Sequence, residues 1–272
     1  MPLVLFSAFA YCGVVFLTLV LSFAFAQAMR FSPAAASATV LCGLLIGVFA
    51  GLGLNFALGP LQLKNNLDPT ALEPGAHYDL IQDCFRRAHL QLPKLWTTES
   101  RKYGHNVIIS GFRFGQGLFR PALFITRSVL ESCSPEELSG IVFHEIGHLK
   151  RNHLLKRAAM ACASFVASVL IMCVFSVILM RLTSPSAFRF IFILNLTAPI
   201  LMTFASLKKQ GLSHELDADS VAVLQFQSSA QVLIQTLNKL DQMNLQTENG
   251  ATEIRVRALQ KLVEPQVAQK AA

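Results

Sequence analysis

The segment from His144 to His148, His-Glu-Ile-Gly-His, has the residue types and spacing of a zinc hydrolysis motif. Residues i and i+4 of a helix lie on the same face, one turn apart, so two imidazoles at this spacing can bind one Zn²⁺. A glutamate directly after the first histidine lies toward the open side of the metal, where it can take a proton from water. We therefore predict that His144 and His148 are metal ligands and that Glu145 is the catalytic base.

The residues before the motif predict that it lies on a helix. Ser134 has the pattern of an N-cap, Pro135 that of a first helical residue, and Glu137 completes a capping box. The apolar residues that follow recur at helical spacing, at Leu138, Ile141, Val142, Ile146 and Leu149. The two histidines are therefore expected about three turns into a helix.

The composition of the chain is typical of a membrane protein. Of its 272 residues, 53% are hydrophobic and only 14% are charged, whereas a soluble domain carries about 25% charged residues. A secretory signal is disfavoured for the first apolar stretch, because that stretch lacks a basic start and is too long. Four uncharged stretches are near the length of about 20 residues that crosses a bilayer: Pro2–Met29, Ala34–Ala57, Ala158–Met180 and Phe190–Leu207.

The charge distribution predicts the orientation of these stretches. All 16 acidic residues and 20 of the 23 basic residues lie in segments 61–157 and 208–272. Because basic residues favour the cytoplasmic side, both segments and both termini are expected in the cytoplasm. The net charge of +7 then fits contact with anionic lipid headgroups. A nucleic-acid partner is disfavoured, since no basic run is interleaved with exposed aromatic residues.

A zinc hydrolase needs a third protein ligand and an open position. A metzincin would have its third histidine six residues after the second, but Leu154 occupies that position. His153 is one residue too early, and we expect it at the surface or beside a ligand. A carboxylate from a downstream helix remains, and Glu215 and Asp219 have i,i+4 spacing.

Glu215 can bind the metal while Asp219 accepts a hydrogen bond from a ligand imidazole. The alternative is an acidic first turn that stabilises the helix dipole. His214 and Asp217 point away from this face and are expected to be structural. Two predicted spans separate the histidine pair from Glu215, so all three ligands are expected on the same side of the membrane.

The polar segments are expected to fold together into one catalytic unit. The predicted elements are helices at Ala76–Leu90, Leu212–Phe226, Ala230–Met243 and Glu253–Val263, a strand at Leu95–Thr98, and a β-hairpin of Asn106–Phe112 and Ala122–Thr126. The predicted division is a transmembrane hairpin at 1–60, the first part of the catalytic domain at 61–157, a second transmembrane hairpin at 158–207, and the second part of the catalytic domain at 208–272.

These motifs resemble those of the HtpX-type membrane zinc metallopeptidases, in the larger family that includes the CAAX prenyl protease. The resemblance rests on residues 144–153, on Ser134–Leu138 and on Glu215–Asp219, which is similar to the family's E-x-x-A-D. It implies a membrane α+β fold, in which four transmembrane helices carry a mainly helical, gluzincin-like catalytic domain with a small β-sheet. It also implies one Zn²⁺ per chain, with Glu215 as the third ligand.

The chain departs from the family pattern at two places. The family has Ser-Arg four and three residues before the ligating glutamate, where this chain has Gly211 and Leu212. Near the C-terminus the family has a His-Pro pair and an arginine six residues beyond the histidine. Arg255 matches that arginine, but Asn249 stands at the histidine position. Since that histidine is thought to stabilise the oxyanion, Arg255 is the candidate to replace it, with Asn249 and His105 as alternatives.

The predicted function is a membrane-bound zinc endopeptidase in the bacterial inner membrane, active at the cytoplasmic face and serving protein quality control. Its expected partners are the lipid bilayer and membrane or membrane-associated protein substrates. A substrate is expected to lie extended along the edge of the hairpin, at Ala122–Thr126 or Asn106–Phe112. His148 is nine residues before Arg157, about 14 Å along a continuous helix, so the site is expected near the membrane surface.

Two other functions remain open. A signalling peptidase of the penicillin-sensor (BlaR) type also combines this motif with a downstream glutamate, but the lack of an extracellular sensor domain disfavours it. A catalytically impaired, metal-binding membrane adaptor is favoured only by Asn249.

Overall fold

The chain divides into two compact units in a computed structural model. One unit comprises residues 1–57 and 155–210, and the other comprises residues 58–154 and 211–272. The second unit contains every residue that the sequence predicts to bind or orient the metal. The structure describes residues 59–99, 106–111, 120–180, 185–244 and 250–271 and isolated positions elsewhere, with side chains left out at 168–169, 172–200, 203–204 and 263–271.

The described strands all lie in the first half of the chain, and six helices follow the last strand. In chain order the elements are α1 (Gly59–Leu67), β1 (Thr70–Ala71), α2 (Ala76–Arg87), β2 (Lys94–Thr98), β3 (Val107–Ser110), β4 (Ala122–Thr126), α3 (Arg127–Ser132), α4 (Pro135–Lys150), α5 (His153–Met180), α6 (Pro185–Phe226), α7 (Ala230–Met243) and α8 (Gly250–Ala271).

The four strands form one mixed sheet in the order β1-β2-β4-β3. β3 and β4 pair antiparallel, which confirms the predicted hairpin. The parallel pairing of β2 with β4 was not predicted. β4 is paired on both sides and all five of its residues are buried, whereas β3 lies at an edge of this sheet. A substrate strand therefore cannot add to Ala122–Thr126, and that part of the prediction is wrong.

Helix α4 begins as predicted. Ser134 accepts a hydrogen bond from the backbone of Glu137 at 3.2 Å, and Glu137 accepts one from the backbone of Ser134 at 2.7 Å. Leu138, Val142 and Ile146 are fully buried in the main core, which the sheet, α2, α6 and α7 also line. Because both its start and its apolar face are fixed, α4 is a rigid support for the motif on its C-terminal half.

The chain turns sharply after α4. Asn152 has a φ of 53°, in the left-handed region that asparagine tolerates better than most residues. α4 therefore ends at Lys150, and a separate helix, α5, begins at His153. The expectation of one continuous helix from His148 to Arg157 is wrong, and the turn changes which side chains can meet.

The third and fourth predicted spans fall within α5 and α6. In the described part of the chain, no helix combines the length and the apolar character that a membrane crossing requires. The first two predicted spans, Pro2–Met29 and Ala34–Ala57, lie outside the described residues except at isolated positions. The four transmembrane helices therefore stay a prediction.

The C-terminal helices lie at the predicted positions, but α6 and α8 differ in their limits, and α8 begins at Gly250 rather than Glu253. α6 begins at Pro185 rather than Leu212, so the predicted fourth span and the predicted ligand helix form a single helix. α7 has the predicted limits. α8 continues through Pro265 to Ala271, beyond the predicted end at Val263.

Candidate metal centre

The two histidines of the motif project from one face of α4. Their Nε2 atoms lie 3.1 Å apart, and their rings are nearly perpendicular, with centroids 4.8 Å apart. His144 is buried and His148 is half-buried. Two imidazole nitrogens at this separation can share a proton or, when both present their lone pairs, bind one metal ion.

Glu215 of α6 completes a set of three donor groups. Its Oε2 atom lies 3.2 Å from Nε2 of His144, and its Oε1 atom lies 3.6 Å from Nε2 of His148. Ligand atoms at about 2.0–2.1 Å from one tetrahedral Zn²⁺ are about 3.3–3.4 Å apart. The spacing of these three side chains therefore fits a zinc ion bound at their centre.

A close approach of two helices brings these donors together. A Cβ atom on Gly147 of α4 would lie 3.0 Å from the carbonyl oxygen of Ala218 on α6, and 3.1 Å from its Cα. Both residues are small, so the backbones of α4 and α6 can touch at this point, next to the histidine pair and Glu215. A larger residue at either position would move the carboxylate away from the imidazoles.

Asp219, one turn beyond Glu215, orients His144. Nδ1 of His144 donates a hydrogen bond to Oδ1 of Asp219 at 2.7 Å, which leaves Nε2 free to face Glu215. Arg255 of α8 donates to the same carboxylate from Nε and Nη2, both at 2.8 Å. Its Nη1 atom also lies 3.3 Å from Oε2 of Glu215. The arginine therefore fixes the carboxylates of Asp219 and Glu215.

Two further residues hold the second histidine of the motif, His148. Nδ1 of His148 lies 2.9 Å from Nδ1 of His153, and Nε2 of His153 lies 2.9 Å from Oδ2 of Asp217. His153 is only 2% exposed, and its ring stacks on that of His214. His153 thus lies beside a predicted ligand, one of the two expected positions. Asp217 was expected to point away from the site, but through its contact with His153 it is part of the site.

Glu145 lies next to the donor set and contacts the edge of the sheet. One nitrogen from each of His144 and His148 and one carboxylate oxygen of Glu145 all lie within 4.8 Å of one another. Oε2 of Glu145 accepts a hydrogen bond from the backbone N–H of Ile109 on β3 at 2.9 Å. Burial raises the pKa of the Glu145 carboxyl, although the two histidines oppose this change. A carboxylate with a raised pKa holds a proton more readily, as a general base requires.

The carboxylates create a negative potential where the donors converge. Burial lowers the pKa of His144, but Asp219 and Glu215 more than reverse this and raise it to about 9. Burial raises the pKa of Glu215, but the adjacent imidazoles of His144 and His148 hold it well below its usual range. A potential that stabilises a proton on His144 also stabilises a divalent cation at this point. Donor chemistry, spacing and charge therefore all fit Zn²⁺.

Residues 78–263, more than half of the chain, match the sequence model of peptidase family M48. The chain belongs to peptidase family M48. The resemblance to HtpX-type peptidases that the motifs carry is thereby confirmed. The two alternatives to Arg255 for stabilising the oxyanion, Asn249 and His105, lie outside the described residues.

Several M48 relatives carry the name HtpX. The chain is 28% identical over 78 residues to "Protease HtpX homolog" of Aquifex aeolicus (strain VF5), over 29% of this chain and 24% of the relative. It is 26% identical over 120 residues to "Protease HtpX homolog" of Persephonella marina (strain DSM 14350 / EX-H1), over 42% of this chain and 39% of the relative. The matched segments thus span well under half the length of these relatives.

The fold is also similar to that of a solved structure. The crystal structure of S. mikatae Ste24p superimposes with a TM-score of 0.66 at 17% sequence identity, over 95% of this chain and 65% of that chain. At this identity the similarity shows the fold alone. It supports the mainly helical architecture with a small mixed sheet.

Proposed function

We propose that this M48 protein is a zinc-dependent endopeptidase with His144, His148 and Glu215 as the metal ligands. The observation that carries the proposal is the convergence of three donor groups at 3.1–3.6 Å from one another. The carboxylate of Glu145 lies directly beside them. Zinc bound there would make water acidic enough to lose a proton near neutral pH and would polarise a carbonyl group.

Glu145 is the proposed general base. Its carboxylate accepts a proton from water and later returns it to the leaving amine, so that one residue serves both halves of peptide hydrolysis. Its burial and its contact with the Ile109 N–H fix the carboxylate beside the ligands. Asp219 holds His144 in the tautomer that presents Nε2, as carboxylates commonly do for ligand histidines.

Arg255 is proposed to position the carboxylates of α6. Its bidentate contact with Asp219 and its contact with Glu215 support this role. A guanidinium with these contacts has little freedom to reach a new partner without releasing an old one. Stabilisation of the oxyanion by Arg255 stays a prediction.

The substrate is proposed to bind along β3. This strand is an edge of the sheet and packs beside α4, so a peptide that adds to it runs past the donor set. The backbone N–H of Ile109 points away from β4, since it donates to Glu145. A substrate backbone next to Val107–Ser110 would therefore bring its peptide bonds close to both the base and the metal ligands.

We also propose that the enzyme is anchored in the bacterial inner membrane, with its catalytic unit and termini in the cytoplasm. The uncharged stretches of the sequence support this location. So do large apolar side chains on α5 and α6 that are 40–67% exposed, namely Leu155, Met160, Leu170, Ile171, Leu201 and Met202. Membrane and membrane-associated proteins are then the substrates that reach the site most easily, which suits a role in quality control.

The central test uses the full chain purified in detergent. Glu145→Gln is expected to bind zinc as tightly as the wild type while casein cleavage falls by about a hundredfold or more. Glu215→Ala is expected to lose zinc as well as cleavage. Glu136→Gln, the same substitution at an exposed glutamate of α4, is the matched control and is expected to keep both. Retained proteolysis in Glu145→Gln would contradict the assignment.

Further measurements separate the alternatives. Wild-type protein that binds zinc yet cleaves nothing, with or without chelator, would favour the adaptor. Cleavage products can be compared between cells with the wild-type protein and cells with Glu145→Gln. A single regulator cleaved only by the wild type would favour the signalling peptidase, whereas many cleaved membrane proteins would favour quality control. Equal cleavage of soluble and membrane-tethered versions of one peptide would count against the membrane-bound substrate class.

A further inference from the structure

We propose that His153, held in turn by Asp217, is a positioning residue that fixes the tautomer and orientation of His148. This inference rests on the proposed zinc site. It assigns a role to a buried histidine and an aspartate that are not themselves ligands. The two contacts that carry it are each 2.9 Å long and form an unbranched path from His148 to Asp217.

The proton positions along this path follow from the chemistry of its end. An ionised carboxylate only accepts hydrogen bonds, so Nε2 of His153 must carry the proton that it shares with Asp217. In a neutral imidazole the other nitrogen, Nδ1, is then an acceptor. Nδ1 of His148 must therefore be the donor in the contact with His153. The Nε2 atom of His148 is left with its lone pair, and this is the atom that lies nearest to His144 and Glu215.

The surroundings of His153 hold it in this position. Its ring is parallel to that of His214, with an interplanar angle of 2° and centroids 4.3 Å apart. Oδ1 of Asp217 also lies 3.4 Å from Nε of Arg151, and this ion pair helps to hold the carboxylate in place. Because the His153 side chain is almost fully buried, water cannot easily replace the ring as the partner of His148.

The two ligand histidines are thus oriented in different ways. His144 donates directly to the carboxylate of Asp219, which is tied to Arg255. His148 donates to a neutral ring, and the carboxylate lies one residue further away. Loss of the intermediate ring leaves His148 free to rotate or to change its tautomer, and either change removes Nε2 from the metal.

The closing experiment measures metal binding rather than proteolysis. The dissociation constant for Zn²⁺ is obtained by competition with a chelating dye on the purified full chain, and Co²⁺ is added as a spectroscopic probe of ligand geometry. His153→Phe keeps a ring but removes both nitrogens, and it is expected to raise the dissociation constant by about ten- to a hundredfold. The visible absorption of the Co²⁺ form is expected to change as well. His77→Phe, at an exposed histidine of α2, is the matched control.

Conservative variants separate positioning from packing. His153→Asn retains an acceptor for His148 and is expected to recover most of the affinity and the Co²⁺ spectrum. Asp217 is 35% exposed, so its variants are expected to fold even if His153→Phe does not. Asp217→Ala is expected to weaken zinc binding, whereas Asp217→Asn, which can still accept from His153, is expected to stay close to the wild type.

Several results would overturn the proposal. An unchanged zinc affinity and an unchanged Co²⁺ spectrum in His153→Phe would show that the contacts of His153 do not affect metal binding. If His153→Phe does not fold, the same result in Asp217→Ala would show it. Equal losses in the Phe and Asn variants would show a role in packing alone. A wild-type chain that binds neither metal would overturn the proposed function together with this inference. A wild type that binds zinc but cleaves nothing would affect only the proposed function.

Discussion

Gly147 and Ala218 are in backbone contact, and this contact sets the distance between the two helices that carry the proposed metal ligands. A Cβ at position 147 would meet the Ala218 carbonyl oxygen at 3.0 Å. Since that atom belongs to the backbone of a helix, it cannot move aside as the end of a flexible side chain would. The glycine is therefore required by the geometry of the site and not only by the flexibility it lends to the chain.

We expect Gly147→Ala to weaken both stability and zinc binding. Separating the two helices costs about 1–3 kcal/mol, the usual range for overpacking, and the separation moves Glu215 away from the imidazoles. Gly140→Ala on the same helix is the control, because its Cβ would meet only Leu233 at an ordinary 3.8 Å. Thermal unfolding and zinc competition on both variants test this. Equal behaviour of the two alanine variants would contradict it.

We expect Arg255 and Asp219 to be energetically coupled. Arg255→Met leaves the carboxylate of Asp219, which is only 2% exposed, without its bidentate partner, and is expected to destabilise the fold by about 3 kcal/mol. Arg255→Lys keeps the positive charge but cannot make the bidentate contact, so a smaller loss of stability is expected. A double-mutant cycle with Asp219→Asn, followed by chemical unfolding, measures the coupling. Additive losses in the double variant would argue against it.

We expect the turn at Asn152 to control zinc affinity from outside the donor set. Asn152→Gly suits the φ of 53° and should leave stability and zinc binding nearly unchanged. Asn152→Val is expected to cost about 1–3 kcal/mol in backbone strain and to weaken zinc binding, because the turn places His153. Gln227→Val, at a φ of 56° after α6, should show similar strain with normal zinc affinity. Equal zinc affinity in both valine variants would count against the role of the turn.

We expect the contribution of Glu137 to stability to depend on pH. Burial raises the pKa of this carboxyl, but hydrogen bonds from Lys239 and Ser134 hold it below its ordinary value of 4.5. A group whose pKa is lowered by folding stabilises the fold above its unfolded pKa and loses this effect as pH falls through the folded pKa. Glu137→Gln should therefore cost about 1 kcal/mol at pH 7.

That difference between the wild type and Glu137→Gln should shrink as the pH falls below 4.5, the ordinary pKa of the carboxyl. Unfolding temperatures measured between neutral and acidic pH test the trend, with Glu136→Gln as the exposed control in the same helical turn. A difference that is constant over this range, or that grows on acidification, would contradict the role of the charged form.

Much of the site follows from local rules in the sequence. The capping pattern at Ser134 and the i,i+4 spacing of the histidines predict a helix with both histidines on one face, as α4 has them. The spacing of Glu215 and Asp219 likewise predicts that they share a face of α6, and both point to His144. Local spacing is sufficient here because each group lies within two turns of a single helix.

The orienting residues could not be predicted in the same way. On a continuous helix, residues 148 and 153 are about 140° apart around the axis, so their contact requires the turn at Asn152. The contact of Arg255 with Asp219 joins residues 36 positions apart on different helices. The parallel pairing of β2 with β4 also depends on tertiary packing. Such contacts leave no periodic pattern in the sequence.

The distribution of the site along the chain has a consequence for biosynthesis. Arg255 is 111 residues later than His144, so a ribosome that translates about 5–20 residues per second needs roughly 6–22 s to make the residues between them. Throughout that interval the histidine pair exists without the arginine that fixes the carboxylates of α6. The nascent protein thus reaches the full geometry of this site only after most of the chain has been made.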